Sequence, residues 1–372
     1  GDYETGKLWS FGGDAQAKKV LAQRELVDTS LRVICFSYDT SDDLLLMDYT
    51  GGTIHRLAPN PKRGQPSRFP QRLSQTGLFA SAATHKLAPG VIPYEVAASP
   101  WHDGAATQRA IAVPGTQPIV AEGKWQFPAG TVVLKTLSLN LDTKTSSGGP
   151  TRIETQLMHY DGDAWRGYGY RWNSDQTDAQ LVNAAGMDVH LQVPNPANSK
   201  SSLRQTWHFA SRVECVRCHN PWSGHVLGFN PGGLDRTVRG TSPGTSQLAT
   251  LSQQGLFDRP LSASKTPPLV DPYDSSVSTQ RRARSFLHVN CSHCHRLHAG
   301  SAVLAYMHAD LTLAATRMID AKPTQGTFGV RDARIIAPGD PLRSILFLRV
   351  SKLGRGRMPH IGSEVVDRLG AD

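Results

Sequence analysis

Four of the five cysteines stand in two copies of one pattern, CVRCHN at 215–220 and CSHCHR at 291–296. Two thiols three positions apart on a helical turn can each add across one vinyl group of the same porphyrin. The histidine that follows then lies under the iron as its proximal ligand. The same four cysteines, taken together, also suit a four-thiolate zinc site. The fifth residue separates the two readings. With 14 His in 372 residues, a His directly after both pairs is roughly a one-in-a-thousand coincidence, whereas haem attachment requires it. Structural disulfides are a third reading, but a Cys-x-x-Cys disulfide is more often redox-active and needs no following His. The pattern predicts two covalently bound c-type haems, one on Cys215, Cys218 and His219, the other on Cys291, Cys294 and His295.

Each iron then takes a sixth ligand or leaves that position open. For the second haem the candidate is Met358 in GRGRMPHIG, 63 residues after His295, with His360 as the fallback. A thioether on a Gly- and Pro-flanked loop can reach the opposite haem face, and Met/His ligation raises the reduction potential. The first haem has no methionine between His219 and the second motif. His208 in TWHF is the favoured ligand, with His225, His190, Met158 and His159 as alternatives and a five-coordinate iron as a rival. No G-x-S-x-G elbow or H-E-x-x-H is present, and the acidic loops DGDAW and DPYD fall short of a calcium ligand set. His293, His298 and His308 read as surface or haem-edge residues.

These ligands need elements to hold them. The chain is long enough for two or three domains, and 34 Gly and 24 Pro predict many turns. The runs LRVICFSYD, DDLLLMDY and GGTIHRLAP, set apart by turn signals, read as successive antiparallel strands of one propeller blade, with Cys35 a buried, inert thiol. After a Pro-rich linker at 57–70, TVVLKTLSLNL places Leu137, Leu139 and Leu141 on one face, and RIETQLMH and WRGYGYRWN continue the alternation. A period of 3.6 enters only with STQRRARSFLHVN, which runs into the second cysteine motif. The expected fold class is multidomain α+β. A partial β-propeller blade (1–60) and an antiparallel β-rich domain (61–205) come first. A first c-type haem segment (206–275) and a class I-like cytochrome c domain with the second haem (276–372) follow, both mainly α-helical.

The formal charge of +9 is scattered, apart from RRAR at 281–284 and KLGRGR at 352–357, so a basic rim for an acidic redox partner is a better reading than nucleic-acid binding. No run of eighteen apolar residues occurs, and GDYETGKLWS has neither a basic nor an apolar leader region, so the chain reads as a mature or internal segment without a membrane span.

The ordered motifs DYTGGTIHRLAPNP, FPQRLSQTGLF, APGVIPYEV, QTWHFASRVECVRCH, LVDPYD, RRARSFLHVNCSHCH, PTQGTFGV, APGDP and KLGRGRMPHIG span nearly the whole chain. In this order they resemble the C-terminal part of planctomycete-type proteins that fuse a sorbosone/glucose dehydrogenase-like β-propeller to a dihaem cytochrome c. That resemblance implies that residues 1–60 are the tail of a quinoprotein-like propeller, and it carries over no sugar- or quinone-binding residue. HRLHAGSAVLAYMHAD departs from the family's Gly-rich pattern, and the chain runs only a turn or two past the methionine loop, so the helix that closes a class I cytochrome is shortened or missing.

The expectation is a periplasmic or extracellular electron-transfer module, since haem attachment takes place outside the cytoplasm. Its donor would be a dehydrogenase propeller, of the same gene product or another, and its acceptor an external protein. Two alternatives stay open: a dihaem peroxidase-like enzyme with one five-coordinate haem, and a homo-oligomeric extracellular conduit of stacked haems.

Overall fold

Among the described residues the strands end at Phe209, and beyond it short helices are joined by Gly- and Pro-rich turns. The computed structural model describes residues 1–3, 5–14, 16, 18–61, 64–65, 68–141, 149–195, 198–236, 246–261, 268–299 and 301–371. It is 32% strand and 14% helix. The expectation of mainly α-helical cytochrome c domains is therefore corrected. The helices are α1 (Arg212–Cys218), α2 (Pro231–Leu234), α3 (Gln247–Gln253), α4 (Thr279–Cys291), α5 (Ile345–Val350) and α6 (Arg368–Ala371), and only α4 exceeds two turns.

The chain opens with a hairpin, β1 (Lys7–Asp14) and β2 (Lys19–Asp28), followed by a separate antiparallel meander of β3 (Val33–Tyr38), β4 (Leu44–Asp48) and β5 (Thr53–Arg56). The three expected strands form, but they make a three-stranded sheet that does not pair with the hairpin before it. Leu8, Val33 and Leu46 give this region a small core of its own. Cys35 is exposed rather than buried: the ladder slips register between Val33 and Cys35, which turns the thiol off the face that Val33 buries.

After the short pair β6 (Phe79–Ser81) and β7 (Lys86–Leu87) comes the central six-stranded meander, all antiparallel. Its strands are β8 (Val91–Tyr94), β9 (Ala106–Ala112), β10 (Val132–Leu139), β11 (Thr151–Tyr160), β12 (Trp165–Trp172) and β13 (Ala179–Leu181). A further hairpin, β14 (Met187–Asn195) and β15 (Asn198–Phe209), leads into α1.

Alternation along the strands gives the sheet two working faces. Ala110, Leu134, Leu157 and Tyr170 look to one side, where they pack on Leu73 and Phe79. On the other side, Ile111, Val133, Met158 and Trp165 occupy one end, and Leu137 and Leu139 the other, against Trp207 and Phe209 of β15. The segment after the first cysteine motif inserts Val226, Phe229, Leu234, Leu248, Leu251 and Phe257 into the same core as the sheet, so the change of composition near residue 205 does not divide the packing. Among the described residues no helix is long and apolar enough to cross a membrane.

Candidate cofactor-attachment site

The first motif begins with a capping box. Ser211 Oγ accepts from the Glu214 amide at 3.3 Å, and Glu214 Oε2 accepts from the Ser211 amide at 2.8 Å, so α1 starts at a fixed point and delivers Cys215, Cys218 and His219 one turn later. The helix lies on β12 at its thinnest place. A Cβ on Gly167 would stand 2.5 Å from Cys215 Cβ and 2.7 Å from its Sγ, so only glycine admits the cysteine. Gly167→Ala is expected to cost about 2–3 kcal/mol through overpacking, read as a fall in the urea midpoint; an unchanged midpoint would show that strand and helix do not meet this closely.

Both motif histidines are oriented through Nδ1. His219 Nδ1–H donates to the carbonyl of His225 at 2.5 Å, and His295 Nδ1–H to that of Ala305 at 3.3 Å. A backbone acceptor on Nδ1 fixes the tautomer and leaves Nε2 with its lone pair, the arrangement a metal-ligating imidazole needs. Burial also pulls both imidazoles below the usual range, His219 to about 4, so they stay neutral.

Cys215, Cys218 and His219 open onto a large cavity with about 1680 Å³ of empty space, counted out to its mouth. Its walls are apolar at Val96, Val133, Met158 and Leu227. Two thiols on one turn, an open Nε2 and an apolar cleft beside them together fit a covalently held porphyrin.

Of the five sixth-ligand candidates for this site, His208 and Met158 line the cavity, while His225, His190 and His159 do not. His208 has no lone pair to offer: its Nδ1 lies 2.6 Å from Asp188 Oδ1 and its Nε2 2.9 Å from Glu214 Oε2. Met158, on β11, belongs to the buried core at the cavity wall. Both His208 nitrogens are thus engaged by carboxylates, a local effect invisible in sequence, since β14 and α1 bring Asp188 and Glu214 onto one ring.

Glu214, and then Asp188, hold the His208 imidazolium against partial burial and raise its pKa from 6.5 to about 9. Because the folded value is the higher one, this stabilisation is complete below about pH 6.5 and is lost as pH rises through about 9. Allowing for solvent screening of a half-buried cluster, the loss is about 1–2 kcal/mol. The stability difference between the wild type and His208→Gln should shrink by that amount between pH 6 and pH 9.5; a constant difference would refute the assignment.

The second motif sits at the end of α4. Cys291 is buried with Ala305, Met307 and Met318, and it shares a smaller pocket with Met358. His295 is not in the wall of that pocket. His360, the fallback ligand, is exposed. The methionine loop is tied to α5 through Met358 N–H to the Arg349 carbonyl at 3.0 Å.

What closes this site comes from the β-sheet. In the loop between β8 and β9, Trp101 N–H donates to Asn290 Oδ1 at 2.8 Å and Trp101 Nε1–H to the Val365 carbonyl at 2.9 Å. Buried Asp103 accepts from the amides of Glu364 and Val365 at 2.8–2.9 Å. This loop thus fastens the stretch that leads into α6.

The two motif loops touch each other. Asn220 Nδ2–H donates to the His293 carbonyl at 3.2 Å and Arg296 donates to the Trp222 carbonyl. The neighbouring Cys294 thiol, with burial, holds Cys218 well above the usual thiol range. All five cysteines are free thiols, and among the described residues no three His, Cys, Asp or Glu side chains converge on one metal position, so the four thiols do not form the tetrahedral set of the zinc reading.

Sequence reasoning missed Gly167 and the Trp101–His102–Asp103 loop. The first hides in an aromatic-rich strand; the second carries no motif, and Trp101 acquires its partners from residues more than 180 positions away. Comparison of the chain with protein-family models, curated proteins and solved structures gives no match, so the reading of this site rests on its own geometry and motifs.

Proposed function

We propose that this chain is a dihaem c-type electron-transfer module that passes electrons from a dehydrogenase site to an external acceptor in the periplasm or outside the cell. The observation that carries the reading is the direct packing of two Cys-x-x-Cys-His loops, joined at Asn220–His293 and Arg296–Trp222. Groups attached at these loops are neighbours, as exchange of electrons between them requires. Haem, when bound, supplies a one-electron couple at each site.

The chain's own residues do the rest. Cys215 and Cys218 anchor the first group and Cys291 and Cys294 the second. His219 and His295, held through Nδ1, present Nε2. Met158 and Met358 are the thioethers assigned to the opposite faces. The resemblance to propeller-fused cytochromes, and with it a sugar or alcohol dehydrogenase as donor, is part of the same proposal.

A second reading, a peroxidase-like enzyme with one five-coordinate iron, draws on the commitment of both His208 nitrogens to carboxylates. One measurement decides between them: a pyridine-haemochrome titration beside the spectrum of the air-oxidised protein. Two covalent haems per chain, both low-spin, are expected. One high-spin haem with peroxide-dependent dye oxidation would favour the enzyme, and no covalent haem would overturn both readings.

A further inference from the structure

Across the cavity from the first motif, the central sheet carries a polar row between its two apolar ends. Arg109 on β9 pairs directly with Lys135 on β10, which pairs with Gln156 on β11, and all three line the cavity. Two cations directly opposite on one face of a sheet repel each other, and in a partly buried place the repulsion is poorly screened.

Among the described residues neither has a carboxylate at ion-pair distance. Arg109 donates to Thr107 Oγ1 at 2.6 Å and Ser99 Oγ at 2.8 Å. Lys135 Nζ–H donates to His102 Nε2 at 3.2 Å, a ring that burial keeps neutral. The buried carboxylate Glu154 accepts from Trp207 Nε1 at 3.1 Å and, among the described residues, is not at ion-pair distance from Lys135, on which it acts only through space. Burial, and then Arg109, lower the unpaired Lys135 ammonium to about 7, and an anion bound against this wall is what would hold both groups charged.

Resting on the proposed function, we infer that Arg109 and Lys135 bind the propionate carboxylates of the haem attached at Cys215 and Cys218. A c-type haem is apolar except along its propionate edge, and the row offers two carboxylates charge and hydrogen-bond donors together. The cations in turn favour the reduced iron, because reduction adds a negative charge nearby.

The test is a spectroelectrochemical titration of the haem-loaded protein and its variants Lys135→Met, Arg109→Gln and Arg109→Lys. Loss of either charge should leave two covalent haems in place and lower one of the two midpoints. The expected shift is about tenfold in that centre's redox equilibrium, or about 59 mV for one electron, while the other midpoint stays put. Arg109→Lys keeps the charge and should stay near the wild type, which a merely structural role for Arg109 would not ensure. Unchanged midpoints in both charge-removing variants, with both haems attached, would overturn the propionate site and leave the electron-transfer reading standing. A wild type without covalent haem would overturn both.

Discussion

Met358→Ala is expected to lower the midpoint of one haem centre by on the order of 0.1–0.2 V, a modest part of the roughly 0.8 V range that axial ligands command. It should also open that centre to carbon monoxide, since a thioether favours the reduced iron and alanine leaves the position vacant. Met158→Ala should do the same to the other centre and spare the first. The methionines belong to separate places, Met158 in the sheet wall of the large cavity and Met358 in the pocket beside Cys291, so their effects should add. A Met358→Ala protein with wild-type potentials and no carbon monoxide binding would sink that ligand assignment. If Met158→Ala alone were silent, the first iron would be five-coordinate or bound by another donor of the cavity wall.

Asp103→Ala is expected to destabilise the protein by about 3 kcal/mol, because removal of one buried carboxylate strands the amides of Glu364 and Val365. Asp103→Asn, which keeps one acceptor oxygen, should cost less. The loop after Met358 would lose its fastening to the sheet, so in Asp103→Ala the visible-band signature of thioether ligation should fade at a lower temperature than global unfolding. Coincidence of the two transitions, or an unaffected urea midpoint, would show that Asp103 does not clamp this loop. Trp101 and Asp103 reach the second site while His102 between them reaches Lys135 at the first, so one tripeptide touches both.

The two Cys-x-x-Cys-His motifs were legible because the covalent chemistry proposed for them demands a local pattern. Two thiols must reach one ring and a histidine must follow, and a spacing of that kind survives any fold. The strands at 131–141, 152–159 and 165–173 were legible through their alternation, and α4 through its period, since both follow from which face of an element is buried. The helical content assigned to the C-terminal half was wrong because haem motifs suggested a helical domain, whereas in the described part of that Gly- and Pro-rich half the helices apart from α4 are short and joined by turns. Cys35 was misplaced by a single register slip.

By itself, then, the amino-acid sequence determined that the Cys-x-x-Cys-His pattern stands twice in the chain, at 215–219 and 291–295, and which stretches would alternate as strands. Tertiary structure alone decided that His208 is bound by Asp188 and Glu214, that Gly167 must lack a side chain, that Arg109 faces Lys135 across a ladder, and that Asp103 fastens a loop 261 residues away. The physical reason is range. Attachment and periodicity act over a few bonds or one turn, whereas charge pairing, close packing and the satisfaction of buried amides depend on neighbours that only the folded chain brings together.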